Sequence, residues 1–212
     1  MPEHNPFSFY ETPEPFTKWL FQRIDIRGAL CEPCVGSGAI LRGSGITQRT
    51  KASSYWWKTN DIDQYWSATS HINATGPRLY HLLGKDMIDW HVTNPPFELW
   101  QEIAAQCLDH AVRGVAMYLR ISAHEVLKGG PRRSWLREHP PSHVLFLPRF
   151  AHQRSPKTGK WATDSMSCCW TVWEKNAEQQ VIDYAPEWVL TELDAGTDAY
   201  RARMDALMWK RS

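Results

Sequence analysis

The segment ALCEPCVGSGAIL, residues 29–41, carries the strongest indication of the fold. Its apolar part predicts a strand over residues 28–34, and Gly36 and Gly38 then open a helix. A strand that ends against the start of a helix forms a crevice of nucleotide size, where glycine allows a ligand to approach the backbone. Two glycines also fit an ordinary turn, so this prediction needs support from other segments.

The segment WWKTNDIDQ, residues 56–64, lies about one strand-helix unit further along the chain. A strand over residues 54–59 ends just before Asp61, whose carboxylate can accept hydrogen bonds from both ribose hydroxyls of an adenosine. Ile62 can then pack on the adenine ring. In the alternative interpretation, Asp61 or Asp63 caps the helix that follows.

The segment VTNPPF, residues 92–97, is the most specific string in the chain, and it follows a short strand over residues 91–93. The Asn94 amide oxygen and the Pro95 carbonyl can together accept both hydrogens of an amino group, and Pro96 stiffens the turn. Such hydrogen bonds draw a planar amine toward tetrahedral geometry and restore its nucleophilicity. Phe97 can stack on a flipped base. The alternative is an ordinary Asn-Pro-Pro turn.

The remaining pattern is that of an α/β domain, in which short apolar runs alternate with helical segments. An amphipathic helix is predicted over residues 97–112 and a buried strand over residues 115–121. Two late apolar runs, bounded by prolines, predict a closing hairpin. Further predictions are a short strand over residues 80–83, hairpin strands over 143–147 and 166–173, and a helix over 199–209.

Charge is unevenly distributed, although the net charge of the 212 residues is only +1. Residues 128–160 contain eight basic side chains against the single acid Glu138, a local net charge of +7. A basic stretch near a predicted cleft favours contact with a nucleic-acid backbone, with Trp135 and Trp161 available for stacking. The alternative is a solvated loop. The eight residues are Lys128, Arg132, Arg133, Arg137, Arg149, Arg154, Lys157 and Lys160.

These strings, in this order, resemble the amino-methyltransferases that use S-adenosylmethionine, particularly the adenine-specific DNA methyltransferases. The resemblance covers residues 10–175, and HPPSHVLFLPRF with CCWTVWEK resembles small phage-borne or prophage-borne members. It implies a Rossmann-like, seven-stranded and mostly parallel sheet with a reversed C-terminal hairpin and helices on both faces. A single methyltransferase domain over residues 1–212 is expected, with residues 128–160 as a basic insertion.

The same resemblance assigns roles to further residues. The segment YETPEPFTKW, residues 10–19, matches the part that closes over S-adenosylmethionine. The implied catalytic tetrapeptide is Asn94 to Phe97, with phenylalanine in place of the commoner tyrosine. Asp86 and Met87 match the pair that faces the cofactor's adenine. The implied cofactor-binding residues are Thr12, Pro13, Phe16, Glu32, Pro33, Gly36, Gly38, Asp61, Ile62, Asp86 and Met87.

The acceptor stays open among adenine in DNA, adenine in RNA and a protein glutamine amide, because the motif serves all three in the family. The long basic stretch favours DNA, with a flipped adenine. A non-catalytic scaffold is the alternative from another class. The acidic, proline-containing first residues lack the pattern of a secretory signal, which predicts a cytoplasmic protein without a membrane span. Cys31 and Cys34 have no second pair at zinc-ligand spacing, so no metal is expected.

Overall fold

The computed structural model describes residues 10–46, 56–125, 131–152, 158–161 and 167–211. Four parallel strands build one half of the sheet, with β1 between β2 and β3, and β4 beside β3. All four residues of β1 and of β3 are buried, as expected for strands covered on both faces. These strands are β1 Ala29–Glu32, β2 Trp56–Thr59, β3 Trp90–Thr93 and β4 Gly114–Arg120.

The other half of the sheet contains its only reversed strand among the described residues. The strand order is β2-β1-β3-β4-β6-β5-β7, and β6 is antiparallel to both of its neighbours. The antiparallel β5–β6 pair confirms the predicted hairpin. The edge strand β7, parallel to β5, was not predicted and brings the count to seven. These strands are β5 His143–Phe146, β6 Cys168–Glu174 and β7 Val181–Tyr184.

Helices cover both faces of this sheet, which confirms the predicted fold class. One buried cluster joins one sheet face to α1, α2 and α6, and a second joins the opposite face to α3, α4 and α5. Within the described ranges, no helix has the length and apolar character needed to cross a bilayer. The helices are α1 Glu14–Arg23, α2 Ala39–Ser44, α3 Pro77–Leu83, α4 Trp100–His110, α5 Pro131–Glu138 and α6 Glu187–Arg211.

Strand β4 illustrates how the two cores are divided. Ala116 and Tyr118 pack in the cluster with α1, whereas Val115, Met117 and Leu119 pack in the cluster with α4. Successive side chains of a strand point to opposite faces, so a strand buried on both faces has no polar alternation. This explains why β4 is apolar along nearly its whole length.

The predicted strand over residues 80–83 is wrong, because these residues belong to helix α3. Pro77 lies in its first turn, and Leu79 and Tyr80 are buried while Leu82 is 67% exposed. This burial has helical periodicity, and it packs α3 against α4. The helix predicted over residues 97–112 begins only at Trp100, and the last helix begins at Glu187, twelve residues before its predicted start at residue 199.

Candidate active site

The carboxyl ends of the four parallel strands meet at one edge of the sheet. Glu32 ends β1, Asp61 lies two residues after β2, Asn94 follows β3 and Arg120 ends β4. All four line one cavity, which has an empty volume of about 1050 Å³ including its open mouth. Ligands bind in such crevices of open α/β sheets. The predicted site residues that line it are Thr12, Glu32, Pro33, Gly36, Asp61, Ile62, Asn94, Pro95, Pro96 and Phe97.

Asp86 and Met87 do not line this cavity, contrary to the prediction. They follow helix α3 rather than a strand, so the chain does not deliver them to the carboxyl edge of the sheet. Met87 is 56% exposed, and Asp86 has a φ of 57°. Residues 72–75 line the cavity instead.

Three other predicted cofactor residues also lie outside the cavity lining. Phe16 is fully buried and packs against Tyr118 and Phe150, so it is a core residue that cannot reach a ligand. Pro13 precedes α1 as its N-cap residue. Gly38 is the N-cap residue of α2.

The backbone conformation of the glycine turn at residues 36–38 favours glycine at two positions. Gly36 and Gly38 have φ values of 49° and 75°, in the left-handed region that favours glycine. A Cβ atom on Gly38 would meet nothing closer than Arg42 Nη1 at 3.9 Å. At Gly38, therefore, the reason for glycine is its φ and not the close approach of a cofactor.

Asp61 is held by two backbone amides. Its Oδ2 accepts a hydrogen bond from the Gly36 N–H at 2.8 Å, and its Oδ1 accepts one from the Asp63 N–H at 2.9 Å. Burial raises the pKa of Asp61, and these two hydrogen bonds oppose that shift. Each carboxylate oxygen has a second lone-pair site, so the group can still accept two hydroxyl donors from a ligand.

Glu32 is 1% exposed, and its Oε2 has no hydrogen-bond partner among the described residues. Burial and then the nearby charge of Asp61 raise the pKa of Glu32 well above its usual range. A buried acceptor without a partner is costly. Because Glu32 lines the cavity, a donor or a cation on a bound ligand would relieve this cost. The site therefore fits a ligand that carries both hydroxyl and ammonium groups.

Asn60, which the sequence analysis did not single out, fixes the loops on either side of Asp61. This side chain is 1% exposed, and its Nδ2 donates to the carbonyls of Pro33 at 2.9 Å and Ile72 at 2.8 Å. Its Oδ1 accepts from Ser70 Oγ and from the Ile72 N–H. The glycine turn and the 72–75 segment are thereby joined across the cavity floor. Its only sequence signal is a position at the end of a predicted strand.

Asn94 has a defined amide orientation. Its Nδ2 donates to the Tyr10 carbonyl at 2.6 Å and to Thr12 Oγ1 at 3.0 Å. The Tyr10 carbonyl can only accept, so the atom beside it must be the nitrogen of the amide. The oxygen of Asn94 is consequently left available in the cavity, and the same cavity contains Gly36.

Phe97 is covered by a cation that the sequence analysis missed. The Arg120 guanidinium lies 4.5 Å from the centre of the Phe97 ring, and the Tyr10 ring lies 5.8 Å away. The Arg120 Nε is buried without a hydrogen-bond partner among the described residues. The sequence could have indicated Arg120, because this residue stands at the end of a strand predicted to reach the same edge of the sheet as Asn94.

The eight predicted nucleic-acid residues fall into three groups. Arg137, Arg149 and Lys160 are exposed, and Arg149 donates from Nε to Ser167 Oγ at 3.1 Å. Arg132 and Arg133 belong to α5, although their side chains are not described. The other three, Lys128, Arg154 and Lys157, lie outside the described residues.

The two tryptophans proposed for stacking on bases are packed within the fold. Trp135 contacts the rings of Trp100 and Trp173, with centroids 5.5 and 5.9 Å apart. Trp161 packs edge-on near Tyr200 and lies beneath the Arg201 guanidinium. Both are partly exposed.

Comparison with known proteins identifies the architecture. The chain matches no protein-family model and no curated protein sequence. It is similar to a methyltransferase subunit of a type I restriction-modification system from Streptococcus thermophilus, with a TM-score of 0.58 and 12% identity over 91% of this chain and 53% of that one. It is also similar to a protein from Vibrio vulnificus described as a modification subunit of a type I restriction enzyme. That match has a TM-score of 0.60 and 11% identity over 84% of this chain and 48% of the other.

A third solved structure, from Listeria monocytogenes, is described as a class I S-adenosylmethionine-dependent methyltransferase. Its TM-score is 0.54 at 11% identity, with 89% of this chain and 71% of that one covered. The chain spans about half the length of the modification subunit and of the methyltransferase subunit described above. At these identities the likeness concerns the fold. With its seven-stranded sheet and its glycine turn at the carboxyl edge, the chain has the Rossmann-like fold of the class I S-adenosylmethionine-dependent methyltransferases.

Proposed function

We propose that this protein transfers the methyl group of S-adenosylmethionine to the exocyclic amino group of adenine in DNA. The observation that carries the proposal is the orientation of the Asn94 amide. Both of its hydrogen bonds within the described residues are donated by Nδ2, to Tyr10 and Thr12. The Oδ1 atom therefore remains as an acceptor, in the cavity that Pro95 also lines.

The two acceptors act on the nitrogen that is to be methylated. The lone pair of an aromatic amine is delocalised into its ring, and hydrogen bonds from both N–H groups to Asn94 Oδ1 and the Pro95 carbonyl localise it. The nitrogen then forms a bond to the methyl carbon while the bond from carbon to sulfur breaks. Once methylated, the nitrogen carries a positive charge and releases a proton to water at the cavity mouth. Alignment supplies most of the catalysis, so no strong base is required.

Two acidic residues that line the same cavity, Glu32 and Asp61, provide the groups that would hold the cofactor. Asp61 has free lone-pair sites for ribose hydroxyls, and Glu32 Oε2, which has no partner among the described residues, would accept a hydrogen bond from the ammonium group of the cofactor. S-adenosylmethionine supplies a methyl group made electrophilic by its positively charged sulfur. Glu32 and Asp61 bind and orient the cofactor, Asn94 and Pro95 activate the amine, and Phe97 holds the base.

Adenine in DNA is favoured by two features. Phe97 directly follows the Asn-Pro-Pro turn and lines the same cavity, where its ring could stack on a planar base. The exposed Arg137, Arg149 and Lys160 provide positive charge for phosphates. Methyltransferase subunits of type I restriction-modification systems are among the structural neighbours, which is consistent with a DNA substrate.

The test is transfer of a labelled methyl group to duplex DNA, structured RNA and protein, offered in separate reactions. We expect label in the adenine of DNA, and a fall in kcat of about 100- to 1,000-fold in Asn94→Ala, comparable to loss of one oxyanion donor. Binding of S-adenosylhomocysteine, measured by calorimetry, should be nearly unchanged in this variant. Label in RNA alone or in protein alone would show that adenine in DNA is not the acceptor. Full activity of Asn94→Ala would overturn the mechanism.

A further inference from the structure

We infer that Arg203 and Tyr200, on the C-terminal helix α6, are positioning residues for the Asn94 amide. They act through the segment Tyr10 to Thr12, which accepts both hydrogen bonds of Asn94. The inference rests on the proposed function for its catalytic consequence, whereas the contacts themselves are independent of it. It links helix α6 to the part of the cavity that contains Asn94.

The first contact is an ion pair at Glu11, which is 1% exposed. Its Oε1 accepts from Arg203 Nε at 2.7 Å and Nη2 at 2.5 Å, and Arg42 Nη2 lies 3.3 Å from the same oxygen. Its Oε2 accepts from Ser37 Oγ at 2.5 Å. The carboxylate of Glu11 therefore joins α6 to the glycine turn, with both of its oxygens occupied.

The second contact is made by the Glu11 backbone. The Glu11 carbonyl accepts from the Tyr200 hydroxyl at 3.0 Å and from His152 Nδ1 at 3.2 Å. A carbonyl can only accept, so Nδ1 of His152 carries the proton, and its Nε2 accepts from the Tyr118 hydroxyl at 2.9 Å. The Tyr200 hydroxyl also lies 3.2 Å from the His152 carbonyl. Helix α6 thus contacts Glu11 at both its side-chain carboxylate and its backbone carbonyl.

The neighbours of Glu11 on either side are the two acceptors of Asn94. The Tyr10 carbonyl fixes one Asn94 N–H and the Thr12 hydroxyl fixes the other, so a shift of Glu11 moves both. Loss of Arg203 would leave a buried carboxylate with less compensation, and the segment would move to hydrate it. Displacing a reacting group by about 1 Å can cost about 100-fold in rate.

The experiment compares Arg203→Gln and Tyr200→Phe with Arg201→Gln. Arg201 lies on the same helix and contacts Asp198 at 4.0 Å and the Trp161 ring, but not Glu11, so it is a matched control. Kinetics on duplex DNA should give a fall in kcat of about 10- to 100-fold for Arg203→Gln, with the KM for DNA within threefold of wild type. Arg203→Lys should recover most of the loss, and Arg201→Gln should behave as wild type.

A second readout does not depend on activity. The side-chain amide signals of Asn94, assigned in nitrogen-15 NMR spectra by their loss in Asn94→Ala, should shift in Arg203→Gln and Tyr200→Phe and stay in place in Arg201→Gln. Tyr200→Phe removes only a hydroxyl, so it keeps the test valid if Arg203→Gln fails to fold. Shifted signals without any methyl transfer would support the positioning role and sink the proposed function. Unmoved Asn94 signals in folded Tyr200→Phe and Arg203→Gln would overturn the inference.

Discussion

Exchanging Asp61 for asparagine tests the cofactor side of the cavity most directly. The carboxylate oxygens of Asp61 face the N–H groups of Gly36 at 2.8 Å and Asp63 at 2.9 Å. An amide has one acceptor oxygen, so its NH2 group must oppose one of these donors or a ribose hydroxyl. The substitution also removes the negative charge that strengthens every hydrogen bond to this group.

The expected cost follows from these contacts. Replacing a charge-assisted acceptor and creating one donor-donor opposition costs ~2–3 kcal/mol, equivalent to about a 30- to 150-fold rise in Kd. Calorimetric titration with S-adenosylhomocysteine measures this Kd. A melting curve of each variant shows whether the glycine turn has been lost with it, because Asp61 also holds Gly36.

Asp86→Asn is the matched control, since it makes the same chemical change at the other aspartate that was predicted in the cofactor site. Asp86 does not line the cavity, and asparagine tolerates its φ of 57°. We therefore expect cofactor affinity within twofold of wild type. The reasoning is refuted if Asp61→Asn binds within threefold of wild type, or if Asp86→Asn is weakened as much as Asp61→Asn.

Two further substitutions test the acceptor side and the buried core. Phe97→Leu removes the aromatic ring at this position, so we expect the KM for DNA to rise about 5- to 150-fold, from the ~1–3 kcal/mol of base stacking, while Phe97→Tyr stays near wild type. Equal KM values for all three proteins would contradict a stacking role. Burial, and then the charge of the neighbouring His110, lower the pKa of His91 to about 3. The His91 imidazole therefore stays neutral in the folded protein as pH falls from 7 to 5, whereas in the unfolded chain, where its pKa is ~6.5, it becomes protonated. The stability that this group contributes is complete above pH ~6.5 and is lost as pH falls toward 3, by about 2 kcal/mol between pH 7 and 5. The raised pKa of Glu32 changes the stability with pH in the opposite direction. The quantity to measure is therefore the difference in the free energy of unfolding by urea between wild type and His91→Gln at pH 7 and pH 5. A difference that is the same at both pH values would refute the prediction.

The hairpin and the central strands were predictable because their signals are local. Apolar runs bounded by proline gave β5 and β6, and a run ending at Asn94 gave β3. Helix α3 was misread, since a short apolar run has no periodicity long enough to separate a helix from a strand. Its identity depends on packing against α4, which lies about 20 residues further along the chain.

The sequence by itself was enough to bring Gly36, Asp61 and Asn94 to the carboxyl edge of the sheet. Gly36, Asp61 and Asn94 each follow a strand, and parallel strands bring their ends to the same edge, so local patterns were sufficient to predict a shared cavity. Only the tertiary structure decided how Asn94 is oriented. That orientation depends on Tyr10 and Thr12, and these on the contact of Glu11 with Arg203, 192 residues away. Contacts of such separation leave no periodic trace in a single sequence, because they arise only when the whole sheet and its helices have assembled.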